Sequence, residues 1–206
     1  MNKTKTLELS EMQYDLLKEL FNLGIGNAAA SLSQLVNQEV VLSVPTLIFE
    51  TKDELAQRLG VTERVISVSQ AMDGPFAMNS MIVFSPEDSF DLVKQLLDQH
   101  LSDETLAELH SEALSEIGNI VLNACISVIA DALGESFNIE LPVFRDAPAI
   151  DMLEDAMDKG TNILLTIIVK MELRQNNVEG HLVFILNTDS RGNLYNTLNS
   201  VLESYL

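Results

Sequence analysis

Two stretches of the chain, 97 positions apart, carry the same polar residues at the same spacing: Glu19, Asn22 and Pro45 in the first, Glu116, Asn119 and Pro142 in the second. With residue types of about 5% abundance, one such specified triplet arises by chance roughly once in 10,000 starting positions. A second copy at corresponding helix positions points to an internal duplication and constrains the fold to two like halves.

The element patterns repeat in the same way. Apolar residues recur at helical spacing from Ser10 to about Asn37, and Ser10 with Gln13 has the form of a capping box. Strand-like runs follow at 39–49, 64–72 and 76–85, and a helix is expected from Pro86 to about His100, with the proline in its first turn. The second half predicts a long helix from about Ser102 to Leu133, stopped by Gly134. Strands are expected at 136–144, 162–173 and 180–186, and a last helix from about Ser190 to the end. Weaker helical segments lie around Asp53–Leu59 and Ile150–Met157. Each half reads as α-β-(α)-β-β-α. The expected fold is α+β, one domain over residues 1–206 made of two pseudo-symmetric repeats, about 10–100 and 102–206, with a mostly antiparallel sheet and the helices outside.

At about 100° per residue, Asp15, Glu19, Asn22 and Gly26 fall on one narrow face of the first long helix, with Leu16, Leu17, Leu20 and Phe21 opposite. In the second, Glu112, Glu116, Asn119 and Asn123 form the polar face, with Ala113, Leu114, Ile117 and Val121 across from it. A single Glu-x-x-Asn stripe is ordinarily a solvated face. Asparagine, however, costs a helix interior about 0.5 kcal/mol against alanine, and its recurrence in both helices points to a use beyond solubility.

Composition narrows the partners. The 206 residues include 31 acidic and 12 basic, a net charge of -19, which repels nucleic-acid phosphates and anionic membrane surfaces and suits a partner with a basic patch. With one cysteine and three histidines, none at metal-ligand spacing, neither a disulfide framework nor a metal site is expected. The N-terminal stretch MNKTKTLELSEM has no apolar signal core, and no uninterrupted apolar run approaches the roughly 20 residues of a membrane span. The expected compartment is the cytoplasm.

With the proline included, the pattern resembles the D/S-x3-E-x2-N-x22-P motif of the CheC, CheX and FliY family of bacterial chemotaxis phosphatases. Asp15, Glu19, Asn22 and Pro45 meet it in full. Glu116, Asn119 and Pro142 meet it with Glu112 at the first position, where an acidic oxygen is kept. Two motif copies in about 200 residues are most like CheC. The resemblance implies a phosphatase that hydrolyses the aspartyl-phosphate of a CheY-like response regulator, ending a chemotaxis or related signal. It also implies that the Asn side chains orient a water in line with the phosphoryl group while the Glu side chains pair with a lysine of the regulator.

Those roles suit the residue types. A carboxamide donates and accepts hydrogen bonds without charge, so it can hold a water beside an anionic phosphoryl group. An acyl phosphate has a good leaving group, and positioning together with the regulator's own Mg2+ can supply much of the catalysis, so no cofactor of this chain's own is expected. Asp15, Pro45, Glu112 and Pro142 are expected to support the motif or the partner contact, the prolines at a sheet edge or bulge because they lack a ladder donor. Gly26 reads equally as room for a partner's close approach or as tight packing against the chain's own sheet. CheD is a further partner in the family. The alternative reading is a non-catalytic adaptor of the same fold that binds a regulator, CheD or a flagellar switch component.

Other features point to structure. Gly24-Ile25-Gly26-Asn27 follows a helix and lacks the Lys-Ser/Thr of a phosphate loop. Cys125 falls in an apolar helical stretch and reads as a packed small residue, the methionines as core filler. The acidic run Asp151, Glu154, Asp155 and Asp158 reads as solvated.

Overall fold

The first helix starts where the Ser10 hydroxyl accepts from the Gln13 N–H and the Gln13 side chain accepts from the Ser10 N–H, and it ends at Asn37 in the left-handed conformation. The second long helix starts at a Ser102 cap and stops at left-handed Gly134. The computed structural model describes residues 9–37, 39–74, 78–97, 101–157, 164–173, 176–186 and 188–203. Its elements in chain order are α1 (Glu11–Val36), β1 (Val41–Glu50), α2 (Lys52–Leu59), β2 (Arg64–Asp73), β3 (Met78–Phe84), α3 (Pro86–Leu96) and α4 (Asp103–Leu133), then β4 (Asn138–Ile139), β5 (Val143–Pro148), α5 (Ala149–Ala156), β6 (Leu164–Leu173), β7 (Asn176–Leu186) and α6 (Thr188–Glu203).

All strand pairs are antiparallel, in the order β1-β6-β7-β3-β2-β4, with β5 also paired to β2. The order is palindromic with respect to the repeat. β7 and β3 meet at the centre, while β1 pairs with β6 of the second half and β5 pairs with β2 of the first. Each half lends its first strand to the other half.

Helices cover both faces of the sheet, which is why central strands read as nearly continuous apolar runs rather than alternating ones. One core joins Leu17, Phe21 and Ile25 of α1 and Leu114, Val121 and Cys125 of α4 to Val68, Ile82 and Phe184 of the sheet, with α3 and α6 in the same layer. The smaller core on the other face joins Leu55 of α2 and Met152 and Leu153 of α5 to Met81, Val83 and Val183. The helix over residues 103–132 is long and apolar enough to cross a membrane by length and composition. Here its apolar side is taken up by α1 and the sheet.

A close approach in the helical layer depends on glycine. A Cβ on Gly24 would lie 2.7 Å from the Cα of Cys125, so α1 and α4 touch backbone to backbone there. A Cβ on Gly118 would likewise lie 2.6 Å from Cγ1 of Val68, which seats α4 on β2.

Three expectations are corrected. The run 136–144 is not one strand: it divides into β4 and β5 on either side of Pro142, which cannot donate to the ladder, and β5 continues to Pro148. β7 begins at Asn176 instead of 180, because Gly180 is not a strand start but an interior position where a Cβ would meet the Phe84 ring at 2.7 Å. The helix expected to reach His100 ends at Leu96, and residues 98–100 lie outside the described residues, as do 76, 77, 162, 163 and 204–206 of other predicted elements and Asp158 of the acidic run.

Burial pushes the His181 imidazole below its ordinary 6.5, against the opposing influence of Glu179, with the Arg58 cation lowering it further and the Glu50 and Asp88 carboxylates raising it. A histidine held neutral in the folded chain is protonated first in the unfolded chain, so its contribution to stability falls as pH drops below about 6.5. His181→Gln should therefore lose less stability between pH 7 and pH 5 than the wild type, measured as the pH dependence of denaturant midpoints; an identical loss would contradict it. For the helix contact, Gly24→Ala is expected to destabilise by about 1–3 kcal/mol through overpacking. Gly26→Ala, with open space around the new Cβ, should gain up to about 1 kcal/mol from helix propensity. Equilibrium unfolding of the two variants checks the opposite signs.

Candidate functional site

In α1 the buried residues Leu17, Leu20, Phe21 and Ile25 leave Asp15, Glu19, Asn22 and Gly26 exposed on the outer face. Phe21 packs against Phe184 of β7 with ring centroids 5.0 Å apart and planes tilted by 47°, which fixes the rotation of the helix and so the direction of its polar stripe. The Asn22 side chain makes no hydrogen bond to another described residue. Gly26 has open space where a Cβ would stand, so the tight-packing reading applies to Gly24 and not to Gly26. The sequence Gly24-Ile25-Gly26-Asn27 lies inside the helix and forms no loop.

The stripe on α4 has the same outline and different chemistry. Glu112 and Glu116 are exposed, whereas Asn119 and Asn123 are half-buried. Asn119 Oδ1 accepts from Gln70 Nε2 at 3.0 Å and from Asn123 Nδ2 at 2.8 Å, and Gln70 Nε2 also reaches the Glu140 carbonyl at 3.2 Å. The side-chain oxygens of Gln70 and Asn123 are buried and have no hydrogen-bond partner among the described residues. Gln70 carries no motif signal. Its one sequence cue is a polar residue where the inward alternation Ile66, Val68, Met72 calls for an apolar one.

Both motif prolines lie where a sheet edge gains a residue. On β1 the register shifts between Ser43 and Thr46, so that three steps, which include Pro45, oppose two on β6. On the other edge Ile139 pairs with Met72 and Val143 with Ser69, so that four steps, including Pro142, oppose three on β2. Within this second bulge the Glu140 N–H bonds Ala71 O, and the Glu140 carbonyl is turned to Gln70.

The remaining features lie apart. A cleft of about 160 Å3 opens beside α5, lined among others by Ser67, Asn79, Arg145 and Asp155; Gln70 and Glu140 of the Asn119 network also line it, and no motif Glu or Asn does. The described members of the acidic run on α5, Asp151, Glu154 and Asp155, are exposed, and two of them also make surface ion pairs, Glu154 with Lys52 at 2.9 Å and Asp155 with Arg145. The Cys125 thiol is fully buried and pushed up to about 12, which suits packing and not nucleophilic attack. His110, beside Ser89 and between the rings of Phe90 and Phe144, is lowered by burial. Among the described residues no group of three or more His, Cys, Asp or Glu is placed to hold a metal ion.

The CheC-like family profile matches residues 12–49, the stretch that contains Asp15, Glu19, Asn22 and Pro45. The chain is 29% identical over 127 residues to the CheY-P phosphatase CheC of Bacillus subtilis, covering 60% of this chain and 61% of that one. It is 22% identical over 157 residues to the flagellar motor switch phosphatase FliY of the same organism, covering 75% of this chain and 39% of FliY. It thus spans less than two thirds of the length of either. In structure it is similar to Thermotoga maritima FliY, with a TM-score of 0.75 at 17% identity over 94% of this chain and 99% of that one. A CheC-like sequence at α1 and β1 on a FliY-like α+β fold shows the resemblance to the CheC, CheX and FliY family that the motif carries.

Proposed function

We propose that the protein is a phosphatase that hydrolyses the aspartyl-phosphate of a CheY-like response regulator, in the cytoplasm. The observation that carries this reading is the pair of Glu-x-x-Asn stripes on one helical layer, with Glu19, Asn22 and Glu116 exposed and Asn119 half-buried, the first stripe within the CheC-like match. At i and i+3 the two side chains of each pair stand side by side and can enter one partner cleft together. Glu19 or Glu116, shielded from water on docking, makes a charge-assisted hydrogen bond to a partner ammonium and sets the register. Asn22 or Asn119 then holds the attacking water against the phosphoryl group. The phosphoryl group, its Mg2+ and the leaving carboxylate all belong to the partner, and the -19 charge steers a basic surface toward the stripes.

A second reading is an adaptor that docks a regulator, CheD or a flagellar switch component without hydrolysis; the name of FliY, a flagellar motor switch phosphatase, favours the docking at a switch and not the loss of hydrolysis. The two readings separate in one assay, the decay of a phosphorylated CheY-like regulator with wild type, Asn22→Ala, Asn119→Ala and the double variant. The phosphatase reading expects wild type to accelerate decay, each single variant to retain part of the acceleration and the double variant to lose it. A double variant as active as wild type would overturn the roles of the asparagines, and binding without any change in lifetime would establish the adaptor. Glu112→Asp in the Asn22→Ala chain is expected to leave the rate within about twofold, since both side chains offer a carboxylate.

A further inference from the structure

Gln70 is 2% exposed and stands at an inward position of β2. The Glu140 carbonyl oxygen can only accept, so the group of Gln70 that faces it at 3.2 Å is the NH2. The same NH2 donates to Asn119 at 3.0 Å, which identifies the atom of Asn119 that meets it as the carbonyl oxygen; the group of Asn123 at 2.8 Å from that oxygen is in turn its own NH2. A backbone carbonyl thus orients three side-chain amides in sequence. Both lone pairs of the Asn119 oxygen are engaged, and its NH2 is the one hydrogen-bonding group of the side chain left without a described partner.

Among the described residues the first copy has no such device. The position of Asn123 is taken by Gly26, 97 residues earlier, and the inward strand position opposite the Pro45 bulge is the buried Val169. Asn22 has to be ordered by whatever docks on it.

We propose that Gln70 and Asn123 are positioning residues of the second site, which hold the Asn119 carboxamide with its N–H donors toward the docked phosphoryl group. This rests on the phosphatase reading. The two N–H bonds of an amide diverge by about 120°, so one donates to the oxygen of the attacking water and the other to a phosphoryl oxygen. The water keeps a lone pair for phosphorus. As the water O–P bond forms, the P–O bond to the aspartate breaks, the carboxylate leaves with the electron pair, and the water protons stay with the phosphate product and solvent. Fixing the amide beforehand removes the need to order it during each encounter, an effect on turnover more than on docking. The bulge at Pro142 takes part, because it turns the Glu140 carbonyl to Gln70.

The test uses chains with one asparagine left and a CheY-like receiver phosphorylated by acetyl phosphate with Mg2+. In the Asn22→Ala chain, where only the second site works, Gln70→Met should lower kcat roughly tenfold with KM within about twofold. In the Asn119→Ala chain, with no amide left to position, the same substitution should add nothing. An unaltered kcat in the first chain, an equal loss in both, or an Asn22→Ala chain with no activity at the outset would each overturn the proposal. If wild type itself does not accelerate decay, the phosphatase reading fails separately, and nitrogen-15 relaxation of the side-chain amides still decides the positioning. Asn119 should be rigid, and become mobile in Gln70→Met; an Asn119 as mobile as Asn22 in the wild type would refute it.

Discussion

The backbone contact between α1 and α4 at Gly24 and Cys125 is the constraint on which the placement of both polar stripes depends. Because no Cβ stands between them, the two helices lie in one layer over the same face of the sheet. Phe21 on Phe184 and Gly118 against Val68 then fix how each helix is turned. With the apolar sides so committed, Glu19 and Asn22 on one helix and Glu116 on the other point away from the sheet, while Asn119 and Asn123 are half-buried and joined by hydrogen bonds. The surface is thus set by packing beneath it.

The exchange of edge strands gives the motif spacing a physical meaning. Neither half completes the sheet alone, since β1 closes on β6 and β5 on β2. The proline 23 residues after each asparagine lies on one of these exchanged edges, next to an extra residue. In the second half that irregularity turns the Glu140 carbonyl to Gln70 and through it reaches Asn119. Proline and asparagine, distant in the chain, are linked through one side chain of the other repeat.

Much of this was legible in the sequence because it rests on local rules. Ser10 with Gln13, Ser102, Asn37 and Gly134 mark helix ends by their own hydrogen-bonding and conformational preferences, and the stripes follow from helical periodicity. The strand order, the division of 136–144 and the interior position of Gly180 were not legible, since each depends on contacts with residues far along the chain, such as Phe84 against Gly180. The difference between the two asparagines was hidden for the same reason: it lies in Gln70, 49 residues from Asn119 in sequence and outside both copies of the motif.

A surface that carries paired carboxylate and carboxamide groups on one helical layer offers hydrogen-bonding and charge-pairing groups to a docked partner. The most direct test titrates a beryllofluoride-activated CheY-like receiver with Mg2+ into the labelled protein and maps the perturbed resonances. The account expects the largest changes at the side-chain amides of Asn22 and Asn119 and along the outer faces of α1 and α4. Changes confined to the α2 and α5 face, or to the sheet edges, would contradict it.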